Sequence, residues 1–563
     1  MQGVGTKCHS YDLFRDIYNE FKEKDVIAGL YNFDQLVYMI IDLELVKNIL
    51  VRDFNYFFNR KMYVNEEGEP LTGHLFSLRA RRKFNFFKER GIPYVEPSFP
   101  LGNFQGVGSK YHSFDVFRDI YDKLKGKDVI AGVYSFTQPV YLIMDVELVK
   151  NVLIRDFNTF INRGGFVNEK DEPLTGHLFS LKDDKWRFLR NKLSPAFTSG
   201  KMKAMYYTIS DKGKDYVDLV DNVLKEGKAI NIKEITNCYT VDVVASVAFG
   251  MESNTMKGEH PELLNIFKEL FGPDGTSFLK FFFLNAFPNF SKTIKLRVFS
   301  KDISDFFINV ISRNIENREK TNDNRQDFLN MLIQLKNKGS IDGEFSTENR
   351  KITLNDALAQ AFVFYFASAD ASSTTISFAL AELAHHSEIQ ERLRTEILEK
   401  TKGKENDEIS YETLQEMTYL GQVVNETLRM YTMGSILLRQ ANEDYKIPNS
   451  KHVIPKGADV FVPMIGLHFD DRYWKNPYKF DPERFTPEEI AKRPNHVYLP
   501  FGDGMRNCIG MRYALLTVKF ALATILRNFK VTPNPKMKYP IKFNPKNPLM
   551  EPDGGFWLNI ERI

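Results

Sequence analysis

Residues 501–510, FGDGMRNCIG, hold three glycines and one cysteine and lead into an apolar run, 511–528, with helical periodicity. A cysteine that enters a helix N-terminus has its thiolate favoured by the free backbone N–H groups and by the helix dipole. Gly504 and Gly510, before and after the cysteine, would let a flat ring system approach the backbone closely. The segment therefore predicts that Cys508 is a thiolate ligand beside a planar group.

The alternatives are a phosphate site for this loop and a structural zinc or disulfide role for the remaining cysteines. A glycine-rich loop before a helix also suits phosphate binding, but the Lys-Ser/Thr pair of a P-loop and the GxGxxG spacing are missing. Cys8 and Cys238 lie in no CxxC or Cys/His cluster, which argues against structural zinc and against a disulfide scaffold. A reducing compartment fits this usage, and we expect Cys8 and Cys238 to be inert.

The loop resembles the haem-binding loop of the cytochrome P-450 family, whose pattern is F-x-x-G-x-R-x-C-x-G. Five positions match it: Phe501, Gly504, Arg506, Cys508 and Gly510. The resemblance implies haem b, iron protoporphyrin IX, as the cofactor, with the cysteine as axial ligand to the iron. It also implies that the arginine pairs with a haem propionate.

A second motif pairs Glu426 with Arg429, three residues apart, and is followed by DPERF at 481–485. Alone, such an i,i+3 pair usually sits on a solvated helix face. Together the two elements resemble the Glu-x-x-Arg and Pro-Glu-Arg-Phe elements of the same family. The resemblance implies that Glu426, Arg429 and Arg484 form a buried triad that supports the haem loop.

A third motif, WRFLR, places Trp186 and Arg190 four residues apart, on one side of a predicted helix. It resembles the Trp-x-x-x-Arg of the family's C helix, in which the arginine contacts a haem propionate. Arg439 matches another propionate ligand of the family. The predicted cofactor-binding set therefore includes Trp186, Arg190 and Arg439 beside the loop residues.

A long helix is predicted from Thr353, where Thr353 and Asp356 fit a capping box, to about Leu383. About 30 residues at a rise of 1.5 Å span roughly 45 Å. The segment resembles the family's I helix, which crosses the distal face of the haem. Residues 367–375, ASADASSTT, align with the family's oxygen-activation motif, in which Asp370 holds the place of the acid.

This motif departs from the family at two positions. Ser368 stands where glycine is usual, and Ala371 stands where a threonine is expected. Dioxygen cleavage requires protons, and alanine has no hydroxyl with which to hold a relaying water. We expect Asp370, Ser368 and Ser372 to carry the relay, although one helical position is a rotation of about 100°, so Ser372 is not a direct replacement.

The N-terminal part is duplicated: residues 2–78 and 105–181 align without a gap, and about 53 of 77 positions are identical. Two copies are too few for a solenoid. The shared pattern predicts a helix near 14–24 and then two strands, IAGLYNF and LVYMIID in the first copy. We interpret 1–78 as a partial duplicate of 105–181 and not a complete domain, 79–104 as a basic, Pro-rich hinge, and 105–563 as the haem-thiolate catalytic domain.

The composition is that of a globular protein, with 43% hydrophobic and 26% charged residues in 563. A formal net charge of +3 gives no global support for a nucleic-acid partner. The sequence contains no run of about 18 apolar residues, so no transmembrane helix is predicted. The richest apolar segment, 278–287, is too short to span a bilayer and is a candidate for contact with a membrane surface.

The resemblance extends over about 83–563, and segments such as YWKNPYKFDPERF are similar to insect microsomal, xenobiotic-metabolising members. It implies a mainly α fold, a triangular prism with small β-sheets. It implies an unspecific monooxygenase that inserts one oxygen atom from dioxygen into lipophilic small molecules, whether xenobiotics or endogenous lipids and hormones. Electrons would come from NADPH through NADPH–cytochrome P-450 reductase, with cytochrome b5 as a second candidate donor.

By the same resemblance the protein would reside on the cytoplasmic side of the endoplasmic reticulum membrane, although the first copy occupies the place of the family's N-terminal anchor helix. Two alternatives stay open. Because of Ala371, the chain could be a haem-thiolate protein without efficient oxygen insertion, isomerase-like or inactive. The duplicated segment could also prevent folding.

Overall fold

The computed structural model describes residues 18–20, 27–32, 35–40, 42 and 44, and residues 83–563 except 228, 272–279, 281–282, 286, 324, 344–349, 405–407 and 548. The chain divides into two compact units, Met1–Arg79 and Ala80–Ile563.

In the first unit, strand β1 (Ile27–Asn32) pairs with β2 (Gln35–Ile40) in an antiparallel hairpin. The two strands predicted for the first copy are thus present, while the helix predicted near 14–24 lies largely outside the described residues. In the second unit, β3 (Ile130–Ser135) and β4 (Gln138–Ile143) form the corresponding hairpin. The partners Ile27↔Ile40 and Ile130↔Ile143 are equivalent positions, so both copies adopt the same register.

The second unit adds short strands that complete small sheets: β5 (Ile230–Asn231), β6 (Leu437–Gln440), β7 (Tyr445–Lys446), β8 (Val453–Ile454), β9 (Asp459–Val462), β10 (Phe529–Pro533) and β11 (Trp557–Arg562). Their orders are β3-β4-β9-β6, β10-β11-β5 and β7-β8. β4 pairs with β9 in parallel and β9 with β6 in antiparallel fashion.

Helices make up most of the second unit, which confirms the predicted mainly α fold. They are α1 (Phe86–Glu89), α2 (Ser113–Leu124), α3 (Val146–Lys150), α4 (Asp183–Leu193), α5 (Ser199–Asp211), α6 (Gly213–Lys225), α7 (Ile232–Phe249), α8 (Pro261–Phe271), α9 (Pro288–Thr293), α10 (Lys301–Thr321), α11 (Phe328–Asn337), α12 (Leu354–His385), α13 (Ser387–Thr401), α14 (Tyr411–Glu416), α15 (Thr418–Met430), α16 (Met464–Phe469), α17 (Pro487–Ala491) and α18 (Met511–Asn528).

The longest of these, α12, begins with the capping box that the sequence predicts. The Asp356 backbone N–H donates to Thr353 Oγ1, and the Thr353 N–H donates to Asp356 Oδ2, each at 3.0 Å. These bonds satisfy donors that a helix N-terminus otherwise leaves free. α7 packs along α12, and an aromatic contact between Phe364 and Tyr513, with ring centroids 5.1 Å apart, joins α12 to α18. The helix that follows Cys508 is thereby held against the middle of α12.

The Pro-rich segment before the second copy packs onto the four-stranded sheet. Tyr94 forms a bridge with Gly132, and Gly102 forms one with Ser135. Gly102 has φ +69°, and a Cβ there would lie 2.2 Å from Tyr134 O, so only glycine fits. In the part of the chain that the structure describes, no helix is long and apolar enough to cross a membrane. Most of the apolar segment 278–287 lies outside the described residues.

Candidate active site

The loop that carries Cys508 is shaped by two backbone constraints. The Cys508 N–H donates to Phe501 O at 2.8 Å, which folds the loop back on itself. Gly504 has φ +69°, and a Cβ there would lie 1.9 Å from Leu153 O, within the π-helix Asn151–Arg155. At Gly510, directly before α18, a Cβ would meet nothing within 4 Å, so this side of the backbone is open. A flat group could approach there.

Cys508 is accessible although protein packs closely around it. Its side chain is exposed, yet enough protein surrounds it that burial raises the pKa of the thiol. A hydrogen bond from the Gly510 backbone and the charges of Arg163 and Arg190 act in the opposite direction and favour the thiolate. A cysteine in such an electropositive, accessible place is suited to ligate a metal.

Four arginines from four separate segments surround this loop: Arg163, Arg190, Arg439 and Arg506. Arg190, on α4, donates to Asn507 O at 3.0 Å and to Asn507 Oδ1 at 2.6 Å. Arg163 donates to Arg506 O at 2.8 Å. The guanidinium carbon of Arg506 lies 4.2 Å from the ring centroid of Trp186, a cation–π contact.

The charges of these arginines are poorly compensated by the protein. Burial and the neighbouring guanidinium groups lower the pKa of Arg506 to about 8, that of Arg439 to about 9 and that of Arg163 to about 10. Among the described residues none of the four forms an ion pair with a carboxylate, and the buried Nε atoms of Arg439 and Arg506 have no hydrogen-bond partner. Buried cations require anions, so this donor set fits the two propionates of a haem whose iron faces Cys508.

Behind the loop, Glu426, Arg429 and Arg484 form the buried cluster that the resemblance implies. Arg429 Nε lies 2.7 Å from Glu426 Oε2, and Arg484 Nε lies 3.3 Å from Glu426 Oε1. Arg429 also donates to His468 O at 2.8 Å. His468 Nε2 in turn accepts from the Leu499 N–H at 2.8 Å, two residues before the loop. Burial and the charge of Arg429 lower the pKa of this imidazole to about 3, so it stays neutral and accepts.

The three α12 residues predicted to relay protons differ from one another in their hydrogen bonds. Ser368 Oγ donates to Phe364 O within the helix. Asp370 Oδ1 accepts from Lys233 Nζ of α7 at 2.9 Å, while its Oδ2 is buried without a hydrogen-bond partner. Ser372 Oγ is likewise buried and unpartnered in the described part of the chain. The structure thus places Asp370 and Ser372 with unused hydrogen-bonding capacity on the two sides of Ala371 in sequence.

Two residues of this region were not found from the sequence. Arg163 lies in the duplicated segment, in a stretch (FINRGG) with no periodicity or motif to single it out. Lys233 precedes Asp370 by 137 residues, and only the packing of α7 against α12 brings them together. Cys238 is partly buried, and burial raises the pKa of its thiol to about 11, as expected for an inert cysteine. Cys8 lies outside the described residues.

Comparison with known proteins agrees with this geometry. The sequence model of the family described as Cytochrome P450 matches residues 93–559. The chain is 40% identical over 486 residues to "Cytochrome P450 6A1" of Musca domestica, covering 86% of this chain and 95% of that protein. It is 38% identical over 490 residues to "Cytochrome P450 6a2" of Drosophila melanogaster, covering 86% and 96%. The chain belongs to the cytochrome P-450 family of haem b monooxygenases.

Proposed function

We propose that this protein uses electrons from NADPH, delivered by a separate NADPH–cytochrome P-450 reductase, to insert one oxygen atom from dioxygen into lipophilic small molecules. The observation that carries the proposal is the position of Cys508 beside four arginines that lack carboxylate partners in the described chain. This arrangement provides both an iron ligand and the counter-charges for haem propionates. Cytochrome b5 is a second candidate electron donor.

In this proposal each site residue has a defined task. Cys508 would ligate the haem iron, Gly510 leaves open space beside the loop for the ring, and Gly504 lets the loop pack against Leu153 O. The propionates are held by four arginines, Arg163, Arg190, Arg439 and Arg506. The ring of Trp186 keeps Arg506 in place. The bound haem supplies the activation of dioxygen, and the thiolate favours cleavage of the O–O bond.

The side of α12 that carries Asp370 supplies protons. Asp370 Oδ2 and Ser372 Oγ are buried oxygens of this segment without a protein partner in the described chain, which an ordered water would satisfy. Ser368 is already bonded to its own helix backbone and contributes less. With alanine at 371, Asp370 is the main proton-carrying group on this helix segment.

A lipophilic substrate fits the apolar, aromatic character of α12 and of Phe299, which packs on it. Phe299 lies edge to face against Phe362, with ring centroids 4.9 Å apart, and Phe362 stacks on Phe366 at 5.8 Å. Aromatic rings bind apolar surface and exclude water from it. We also propose residence on the endoplasmic reticulum membrane, since apolar compounds concentrate in bilayers. Fractionation of cells that express the full chain tests this location.

The function is tested with the full chain reconstituted with haem. The reduced, CO-bound protein should show the Soret band of a thiolate-ligated haem, and the Cys508→Ala variant should lose it. Supplied with reductase, NADPH and a panel of lipophilic compounds, the wild type should yield hydroxylated products. A thiolate spectrum with no product from any compound would refute the monooxygenase activity.

A second function, a haem-thiolate protein without efficient oxygen insertion, is favoured by one observation, the alanine at 371. In that case NADPH would be consumed and hydrogen peroxide released without product. The Ala371→Thr variant discriminates between the two, since a restored hydroxyl should then raise the yield of product per NADPH severalfold. An unchanged, high yield in both proteins would exclude this second function.

A further inference from the structure

Lys233, on the first turn of α7, has its Nζ surrounded by oxygen atoms of α12. It lies 2.9 Å from Asp370 Oδ1, 3.3 Å from Asp370 O and 2.8 Å from Ser373 Oγ, and it also donates to Thr374 Oγ1. An ammonium group has three N–H donors, so this environment uses all of them. The side chains of Lys233 and Asp370 are only 15% and 13% exposed.

The contact between the two helices does not depend on this lysine. Thr236 Oγ1, one turn further along α7, lies 2.9 Å from Ser377 Oγ and also donates to Ser373 O. Ser373 Oγ donates to Asn237 Oδ1 at 2.6 Å. Helix packing is therefore held by hydroxyl and amide groups as well, and the specific contribution of Lys233 is its charge.

That charge acts on one oxygen of Asp370 and leaves the other free. Oδ1 is fixed by the ammonium, whereas Oδ2 is buried without a partner. A buried polar oxygen normally binds a protein group or an ordered water. Because Ala371, the next residue, offers no hydroxyl, the direction of Oδ2 decides where such a water can sit.

We propose that Lys233 is a positioning residue of the monooxygenase site: it holds Asp370 by Oδ1 so that Oδ2 is the oxygen that binds the proton-relaying water. This inference rests on the proposed function. In this role Lys233 acts through Asp370.

The test compares Lys233→Met, which keeps the chain length and removes the charge, with Lys233→Arg, which keeps the charge. The matched control is Lys212→Met, which breaks another ion pair of a buried lysine, with Glu252, remote in sequence from α12. Because general acid–base groups contribute about 10²–10⁴-fold, Lys233→Met should lower product formed per NADPH at least tenfold and raise the solvent isotope effect on product formation. Lys233→Arg should retain most of the yield, and Lys212→Met should resemble the wild type.

A second readout does not depend on turnover. The infrared difference spectrum of Lys233→Met minus the wild type at neutral pH should show an additional protonated carboxyl band, which the double variant Lys233→Met/Asp370→Asn should lack. A missing band, or an unchanged product yield, would overturn the proposal. If Lys233→Met does not fold, Lys233→Gln takes its place in both measurements. A wild type that makes no product refutes the proposed function, while the infrared result still decides whether Lys233 holds the charge of Asp370.

Discussion

The substitution Glu426→Gln removes one negative charge from the buried cluster behind the haem loop and changes almost no volume. The Glu426 carboxylate accepts four hydrogen bonds: two from Arg429 at 2.7 and 2.9 Å, one from Arg484 at 3.3 Å and one from the Asp481 N–H at 2.9 Å. Glu426 and Arg429 are fully buried. A glutamine offers one acceptor oxygen and turns an NH₂ group towards the other donors.

The expected cost follows from these contacts. At least one charge-assisted bond is lost, from Arg429 Nε to Oε2, at roughly 1.5–3 kcal/mol, and two guanidinium groups are left without a buried counter-charge, for which broken buried pairs cost about 3–5 kcal/mol. We therefore expect Glu426→Gln to lower the free energy of unfolding by about 3–5 kcal/mol. Because Arg429 also holds His468 and thereby Leu499, the variant should release haem faster.

Denaturant unfolding followed by tryptophan fluorescence measures the stability change, and transfer of haem to apomyoglobin measures its release. The matched control is Glu483→Gln, which neutralises a glutamate beside Arg484 in the turn Pro482–Phe485; the partner of Glu483, Arg392, is exposed. Exposed pairs contribute about 0–1 kcal/mol. If the two variants lose the same stability, the argument that burial makes the Glu426 cluster costly to break is wrong.

Three further outcomes follow from the site and its surroundings. Arg163→Leu should release haem roughly 10- to 100-fold faster, since it removes one charge-assisted bond of about 1.5–3 kcal/mol. Gly504→Ala should destabilise the loop by more than 1 kcal/mol, because it adds a left-handed residue and a Cβ 1.9 Å from Leu153 O. Asp459→Asn should stabilise the protein at pH 7: burial raises the pKa of this carboxyl from 3.8 to about 6, so the wild type loses stability as pH rises from about 4 to 7, and the variant does not.

Matched variants control each of these outcomes. Arg187→Leu removes an arginine of α4 whose hydrogen bond, to Asn158, is exposed, and should leave haem release unchanged. Gly510→Ala, whose Cβ meets nothing within 4 Å, should leave the stability of the haem-free chain nearly unchanged. Equal effects of Gly504→Ala and Gly510→Ala would contradict the steric reasoning. A parallel pH dependence of wild type and Asp459→Asn in unfolding experiments would contradict the assignment of the titrating group.

The sequence predicts those parts of the site whose residues lie in one element. The capping box at Thr353 and Asp356 forms as expected because both groups belong to one helical turn. The loop around Cys508 and the pair Glu426 and Arg429 are local in the same sense. The haem site itself still required the resemblance, since spacing alone indicated only a thiolate beside a planar group.

Residues that meet only through the packing of distant elements escape such reasoning. Arg163 contacts the backbone of Arg506 across 343 positions, and Lys233 reaches Asp370 across 137. An isolated arginine or lysine carries no periodic signal, and its usual place is a solvated surface. Ser368 illustrates the converse: its type suggested a water ligand, but in the helix its hydroxyl bonds to the carbonyl four residues earlier.

The two sides of the proposed haem site therefore differ in how strongly the protein determines them. On the cysteine side, Arg163 and Arg190 bond to the loop backbone, Arg506 packs on Trp186, and a buried ion cluster lies behind the loop, so the loss of one contact leaves the others in place. On the α12 side, Ala371 supplies no hydroxyl, and the orientation of Asp370 depends on a single ion pair with Lys233. Haem binding should consequently tolerate single substitutions better than the coupling of NADPH to product does.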